Sequence, residues 1–402
     1  MKQQTQTNKI EWKEEKLGEI CDVRDGTHAS PKYVNDGYPL ITSKNLNKGF
    51  IDFSEINLIS KLDFNEINRR SKVDSGDIIM PMIGTIGNPV IVPKNIREFA
   101  IKNVALIKLK NPNISNNYIK FILDSPYFDK ATAQYNRGGT QKFIALGDIR
   151  NIKIPIPFLN GKPDLETQKK IVSILEKAEA LKHRREQSDK LTKEYLQSVF
   201  AEMFSNKVFS MMKLKNLIIK TENKNPPKEF PDDYFDYIDI SSVDNISKRI
   251  VSTNRTLGKD APSRAKQQVK TKDIILSTVR PNLNAVALIP KELNNQICST
   301  GFCVLRFDKE KAITEYIFMN LIDNKFIESM TKIAKGASYP AISDKDIFDF
   351  EIPLPPLPLQ QTFASIVEQV EKLKEKQKQS KEELKIMFDS LMQKAFKGKL
   401  VK

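Results

Sequence analysis

A chain of 402 residues can hold two domains, each large enough for its own core. With 40% hydrophobic and 29% charged residues, and no apolar run near the roughly 18 residues of a membrane span, the composition excludes a helical membrane protein and predicts a soluble one. The formal charge of +15 points to a polyanionic partner, nucleic acid first.

The leader, Met1 to Lys9, is polar and lacks the apolar core of a signal peptide. Trp12 to Val23 reads as a strand-forming entry, and Asp25-Gly26-Thr27-His28 as a turn. Tyr38 to Leu46 reads as a strand leading into a polar edge, and residues 54–72 as a mixed polar stretch ending in Arg69-Arg70-Ser71-Lys72. Short β runs follow at Asp77 to Met80, Pro89 to Val92 and Ala105 to Leu109, punctuated by Gly84, Gly87 and Pro93. A helix is expected over Asn117 to Leu123. The basic, glycine-rich loop Arg137-Gly138-Gly139-Thr140-Gln141-Lys142 then leads to a last strand, Ile149 to Ile156. Interspersed strands and helices define an α+β unit.

From Leu165 to Phe204 the apolar residues fall at steps of three and four: Ile171, Ile174, Leu175 and Ala178, then Leu196, Val199, Phe200 and Met203. This spacing marks one face of a helix. About forty residues at 1.5 Å each make a rod roughly 60 Å long. The same pattern returns near the C-terminus, with Phe363, Ile366 and Val367, then Phe388, Leu391 and Met392, at a constant offset (363 − 171 = 192). Gln168 and Gln360, Glu176 and Glu368, and Ser188 and Ser380 are identical at that offset.

More of the chain repeats. Ile152 to Pro157 answers Phe350 to Pro355, two strands with alternate prolines, and Asp77-Ile78-Ile79 answers Asp273-Ile274-Ile275. The chain is a tandem duplication. Residues 1–162 and 207–358 are homologous α+β units, each followed by a long helix at 163–206 and 359–402. Laid antiparallel, the start of one helix meets the end of the other. Both helix middles, Lys182 to Lys190 and Lys374 to Glu382, are wholly polar and read as a solvated stalk or a surface for partner subunits.

Catalytic material is scarce. There are only two histidines, His28 and His183, too few for a histidine metal site or for much choice of a catalytic triad. Cys21, Cys298 and Cys303 are widely spaced with no Cys-x-x-Cys, which fits a reducing cytoplasm and argues against disulfides or a zinc cluster. No phosphate-binding Gly-x-x-x-x-Gly-Lys-Ser/Thr occurs. Asn225-Pro226-Pro227-Lys228 has the Asn-Pro-Pro of adenine methyltransferases, but Lys228 stands where an aromatic would stack on the flipped base, so the segment reads as a turn. His28 is a candidate for contact with a phosphate or a base. The chain is expected to bind DNA and not to be an enzyme.

Base readout needs Arg or Lys for guanine and Asn or Gln for adenine, with cations and hydroxyls for phosphates. In the first unit the loop residues of those types are Lys44, Asn45, Arg69, Arg70, Arg137, Gln141 and Lys142. In the second they are Arg264, Lys266, Gln267, Arg280, Asn282, Asn284, Lys335 and Tyr339. The frameworks match while these loops differ, so two related sites reading different targets are expected.

With its duplication and paired helices the chain resembles the specificity subunits of type I restriction–modification systems. The likeness rests on Trp12 with Lys16 to Ile20, Asp25 to His28, Asp273 to Pro281 and the proline-spaced strand before each glutamine-bearing helix. The resemblance implies two target-recognition domains, each reading half of a split DNA sequence, and an antiparallel coiled coil that sets the unread spacer. It implies partners: double-stranded DNA, two methyltransferase subunits using S-adenosylmethionine, and two motor-nuclease subunits using ATP and magnesium. No cofactor is expected on this chain, and no membrane. The alternatives are a subunit of a fused methyltransferase–nuclease system and a coiled-coil scaffold that does not read DNA.

Overall fold

The computed structural model describes residues 9–47, 49–84, 86–133, 143–205, 207–336 and 338–401. The chain packs as two compact units, Met1–Gln187 with Lys378–Lys402, and Ser188–Gln377. The long helices are Leu165–Phe204 and Leu357–Phe396, each 40 residues. The packing partition differs from the sequence partition, because each helix gives its first part to one unit and its last part to the other.

In the first unit the central antiparallel sheet has the order Cys21–Asp25, Val104–Leu109, Ile78–Pro81, Val90–Ile91. All four residues of Ile78–Pro81 are buried. Side chains alternate across a strand, so Ile78 and Met80 face one core while Ile79 faces another. Helix Asn116–Leu123 covers the first face together with Ile171, Val172 and Leu175 of one long helix and Met392, Ala395 and Phe396 of the other. A second four-stranded sheet joins Ala100–Ile101, Tyr38–Ile41, Asn57–Ile59 and Tyr33–Val34, and includes a parallel pair. Burial also pushes the thiol of Cys21 up to about 12, leaving it inert.

The second unit repeats this plan. Its sheet runs Ile218–Ile219, Phe302–Phe307, Ile274–Ser277, Val286–Leu288. Ile274 and Leu276 face one core and Ile275 the other. A five-stranded sheet, Glu222–Asn223, Ala265–Gln268, Ile297–Ser299, Tyr234–Ile238, Asn254–Leu257, completes it. Here the long helices contribute Phe200, Phe204 and Phe363, whose rings lie 5.0–5.6 Å apart. The two helices run antiparallel in this unit, since Thr192 meets Gln377 while Phe204 meets Phe363.

The repeat extends to single hydrogen bonds. Tyr118 Oη donates to the Pro155 carbonyl at 2.8 Å, and Tyr316 Oη to the Pro353 carbonyl at 2.5 Å. The helix-start glutamines are both fully buried clips. Gln168 Oε1 accepts the Ser115 N–H and Gln360 Oε1 the Ile313 N–H, each at 2.9 Å.

Three local readings need correction. The last strand expected over Ile149 to Ile156 begins only at Lys153, because Leu146–Asn151 is a helix. Residues 54–72 hold the strand Asn57–Ile59 and the helix Lys61–Ser71, whose start is capped by Ser60 Oγ accepting the Asp63 N–H. Asp25 to His28 is no turn: Cys21–Asp25 is a strand, the Gly26 N–H bonds to the Val104 carbonyl, and Thr27 bridges Lys102. A Cβ on Gly26 would lie 2.0 Å from the Ile101 carbonyl oxygen, so close strand approach demands glycine here.

Candidate nucleic-acid interface

In the first unit the strand Cys21–Asp25 ends on a buried carboxylate. Asp25 Oδ1 accepts from Arg70 Nη2 at 2.6 Å and Asp25 Oδ2 lies 2.7 Å from His28 Nε2. His28 Nδ1 lies 2.8 Å from Asn103 Oδ1. A buried anion requires such partners. The Arg70 and His28 side chains remain 65% and 64% exposed, so Asp25 orients two groups toward solvent. Lys102 Nζ donates to Ser30 Oγ on the same side loop. Arg24 is committed to Asp22, and its hydrogen bond holds that carboxyl below the usual range.

Lys44 and Arg69 are exposed, Lys44 on the turn Ser43–Asn45 and Arg69 on the last turn of Lys61–Ser71. Asn45 is a structural residue: it is buried, with its Oδ1 accepting the Thr42 N–H and its Nδ2 donating to the Asp52 and Glu55 carbonyls. Arg137, Gln141 and Lys142 lie outside the described residues.

In the second unit Pro281–Leu283 forms a one-turn tip flanked by Arg280 and Asn284, both left-handed at φ 51° and 45°. The tip is anchored from within. Pro281 is buried, Asn284 Nδ2 donates to the Leu321 carbonyl, and Lys248 Nζ donates to both oxygens of Asn284. Asn284 is therefore a structural anchor and not a contact. Beside the tip, Lys335 and Ala341 pair through two backbone hydrogen bonds and hold up Tyr339, which is 70% exposed. The Arg280 guanidinium lies 5.0 Å from the Tyr339 ring centre. Arg280, Asn282, Leu283, Lys335 and Tyr339 thus come together on the surface.

Arg264 is exposed just before the strand Ala265–Gln268, and Lys266, expected on a loop, is exposed within that strand. Gln267 is inward: Nε2 donates to the Ser299 and Phe302 carbonyls at 3.0 and 2.7 Å, filling the bulge where that strand shifts register. His28 was a sequence candidate for a phosphate or base contact, whereas Asp25, Asn103 and Leu283 were not among the residues expected from sequence. The Asp-Gly-Thr-His run that carries His28 could have signalled Asp25; nothing in the sequence marked Asn103 or Leu283.

Among the described residues no group of three or more His, Cys, Asp or Glu is placed to hold a metal ion. Among the described residues no helix is long and apolar enough to cross a membrane. The two repeated units thus present different exposed groups, His28 and Arg70 in the first, and Arg280, Asn282 and Tyr339 in the second.

Comparison with known proteins gives the family. The model of the type I restriction modification DNA specificity domain matches residues 9–192 and again 206–385, and the chain belongs to that family. It is 26% identical over 136 residues to the type I restriction enzyme HindI specificity subunit of Haemophilus influenzae, a match spanning 33% of this chain and 30% of that protein. It is 23% identical to a Methanocaldococcus jannaschii protein provisionally named as the type I restriction enzyme MjaX specificity subunit, over 97% of this chain and 94% of the relative. The crystal structure of the type I restriction–modification system S subunit from M. genitalium shares the fold over 97% of each chain, at 16% identity and a TM-score of 0.51.

Proposed function

We propose that the chain reads a split DNA sequence and directs adenine-N6 methylation and restriction by partner subunits. The observation that carries this reading is the duplication of one framework with two different exposed clusters, His28 with Arg70 in one unit and Arg280, Asn282 and Tyr339 in the other. Each unit reads one half of the target, and the paired long helices set the spacer between halves. Lys44, Arg69, Arg264, Lys266 and Lys335 serve phosphates; Arg280 and Asn282 carry the donor geometry for guanine and adenine. Arg137, Gln141 and Lys142 belong by residue type to the proposed DNA contacts of the first unit.

The chemistry belongs to the partners: two methyltransferase subunits with S-adenosylmethionine, and two motor-nuclease subunits with ATP and magnesium, working in the cytoplasm on double-stranded DNA. The test is single-molecule sequencing of N6-methyladenine in DNA from cells making this chain with its methyltransferase partner, against cells lacking the chain. A split motif with one methylated adenine per strand, absent without the chain, is the expected result. Identical methylation in both cell lines would overturn the reading.

A further inference from the structure

A cavity of about 280 Å³ opens in the first unit beside the Asp25–His28–Asn103 network. Most of its lining is apolar: Met82, Ile83, Ile144, Ala145 and Leu146. Phe143, 39% exposed, also lines it. The polar side is His28, Asp25 and Asn103. The apolar lining is tied together by the backbone: Phe143 bridges Ile83, and the Ile144 N–H bonds to the Met82 carbonyl at 3.0 Å. Asn103 is held on the other side, in the left-handed region at φ 54° and with its N–H bonded to the Thr27 carbonyl.

We propose that this cavity receives one unstacked nucleobase of the bound DNA, stacked on Phe143 with its polar edge toward the Asn103 side-chain amide, which His28 holds in place. This rests on the DNA-reading function proposed above. The volume lies just below the roughly 300–1,000 Å³ of sites for drug-sized ligands, which suits one planar ring system. A phosphate is disfavoured, because the lining is mostly apolar and the Asp25 carboxylate lies in the wall. An aromatic face with polar groups on one side is the arrangement that holds a base out of its stack.

The second unit cannot do the same. At the position of Phe143 it carries Ala341, which pairs with Val279 as Phe143 pairs with Ile83. The cavity is thus a device of the first half-site alone.

The test uses the complex of this chain with its methyltransferase partner and DNA carrying the split target. Each base of the first half-site, except the methylated adenine that the methyltransferase displaces, is replaced in turn by 2-aminopurine or pyrrolocytosine. One position is expected to brighten on binding in the wild-type complex and to stay dark with Phe143→Ala and Phe143→Leu, the second keeping the apolar volume. An abasic site at that position is expected to weaken wild-type binding about tenfold or more and to leave Phe143→Leu unaffected. Equal fluorescence of wild type and both variants at every position would overturn the proposal. A chain that yields no split methylation would instead fail the parent reading, before any probe is placed.

Discussion

Arg280 shows how a single residue carries both strain and recognition. Its backbone is left-handed at φ 51°, whereas the matching position of the first unit is Gly84 at φ 80°. A side chain in this region costs about 1–2 kcal/mol, and its stack on Tyr339 returns roughly 0.5–1 kcal/mol. Arg280→Gly relieves the strain and loses the stack; Arg280→Ala loses the stack and keeps the strain. Arg280→Gly is therefore expected to be more stable than Arg280→Ala by about 1 kcal/mol, while both lose DNA affinity to the same extent. Thermal melting and fluorescence anisotropy on one pair of samples check the ranking. The reverse ranking of melting temperatures would remove strain as the explanation. Amides were the ambiguous residue type in the sequence. Asn45, Gln267 and Asn284 close gaps in the backbone while Asn282 faces outward, and one amide offers the same donor and acceptor for either task.

At the scale of elements, the long helices were legible because apolar spacing over forty residues leaves no other period. Their polar middle was not read correctly throughout. Gln377, inside the stretch that reads as solvated stalk, is only 4% exposed. Its Nε2 donates to Thr192 Oγ1 at 2.8 Å and to Ser188 Oγ at 3.2 Å, across the helix pair within the second unit. A satisfied buried amide fixes how two helices register. Thr192→Val removes the nearer partner and is expected to destabilise the second unit by about 1–3 kcal/mol. Adding Gln377→Leu should recover most of that loss, because both polar groups then leave together. Urea unfolding of the two single variants and the double variant measures the coupling. Additive single effects would mean that the amide contact contributes nothing of its own.

For the molecule as a whole, the charge of +15 gives a prediction independent of any one contact. If six or more phosphates are neutralised, raising salt from 50 to 200 mM should weaken DNA binding about 10³-fold. Anisotropy titrations across that range test it, and a flat response would favour the scaffold that does not read DNA. The sequence by itself determined the duplication, the α+β content, the two forty-residue helices and the polyanionic partner, because these depend on periodicity, spacing and summed charge, which need no folding to read. The tertiary structure alone decided the rest. The antiparallel meeting of helix ends was expected from sequence, but only the structure packed Met392, Ala395 and Phe396 with Ile171 and Leu175 into the core of the first unit. It also decided which polar side chains face solvent. Burial and hydrogen-bond partners come from residues far apart in the chain, as Asp25 with Arg70 and Gln377 with Thr192, and linear order carries no record of those meetings.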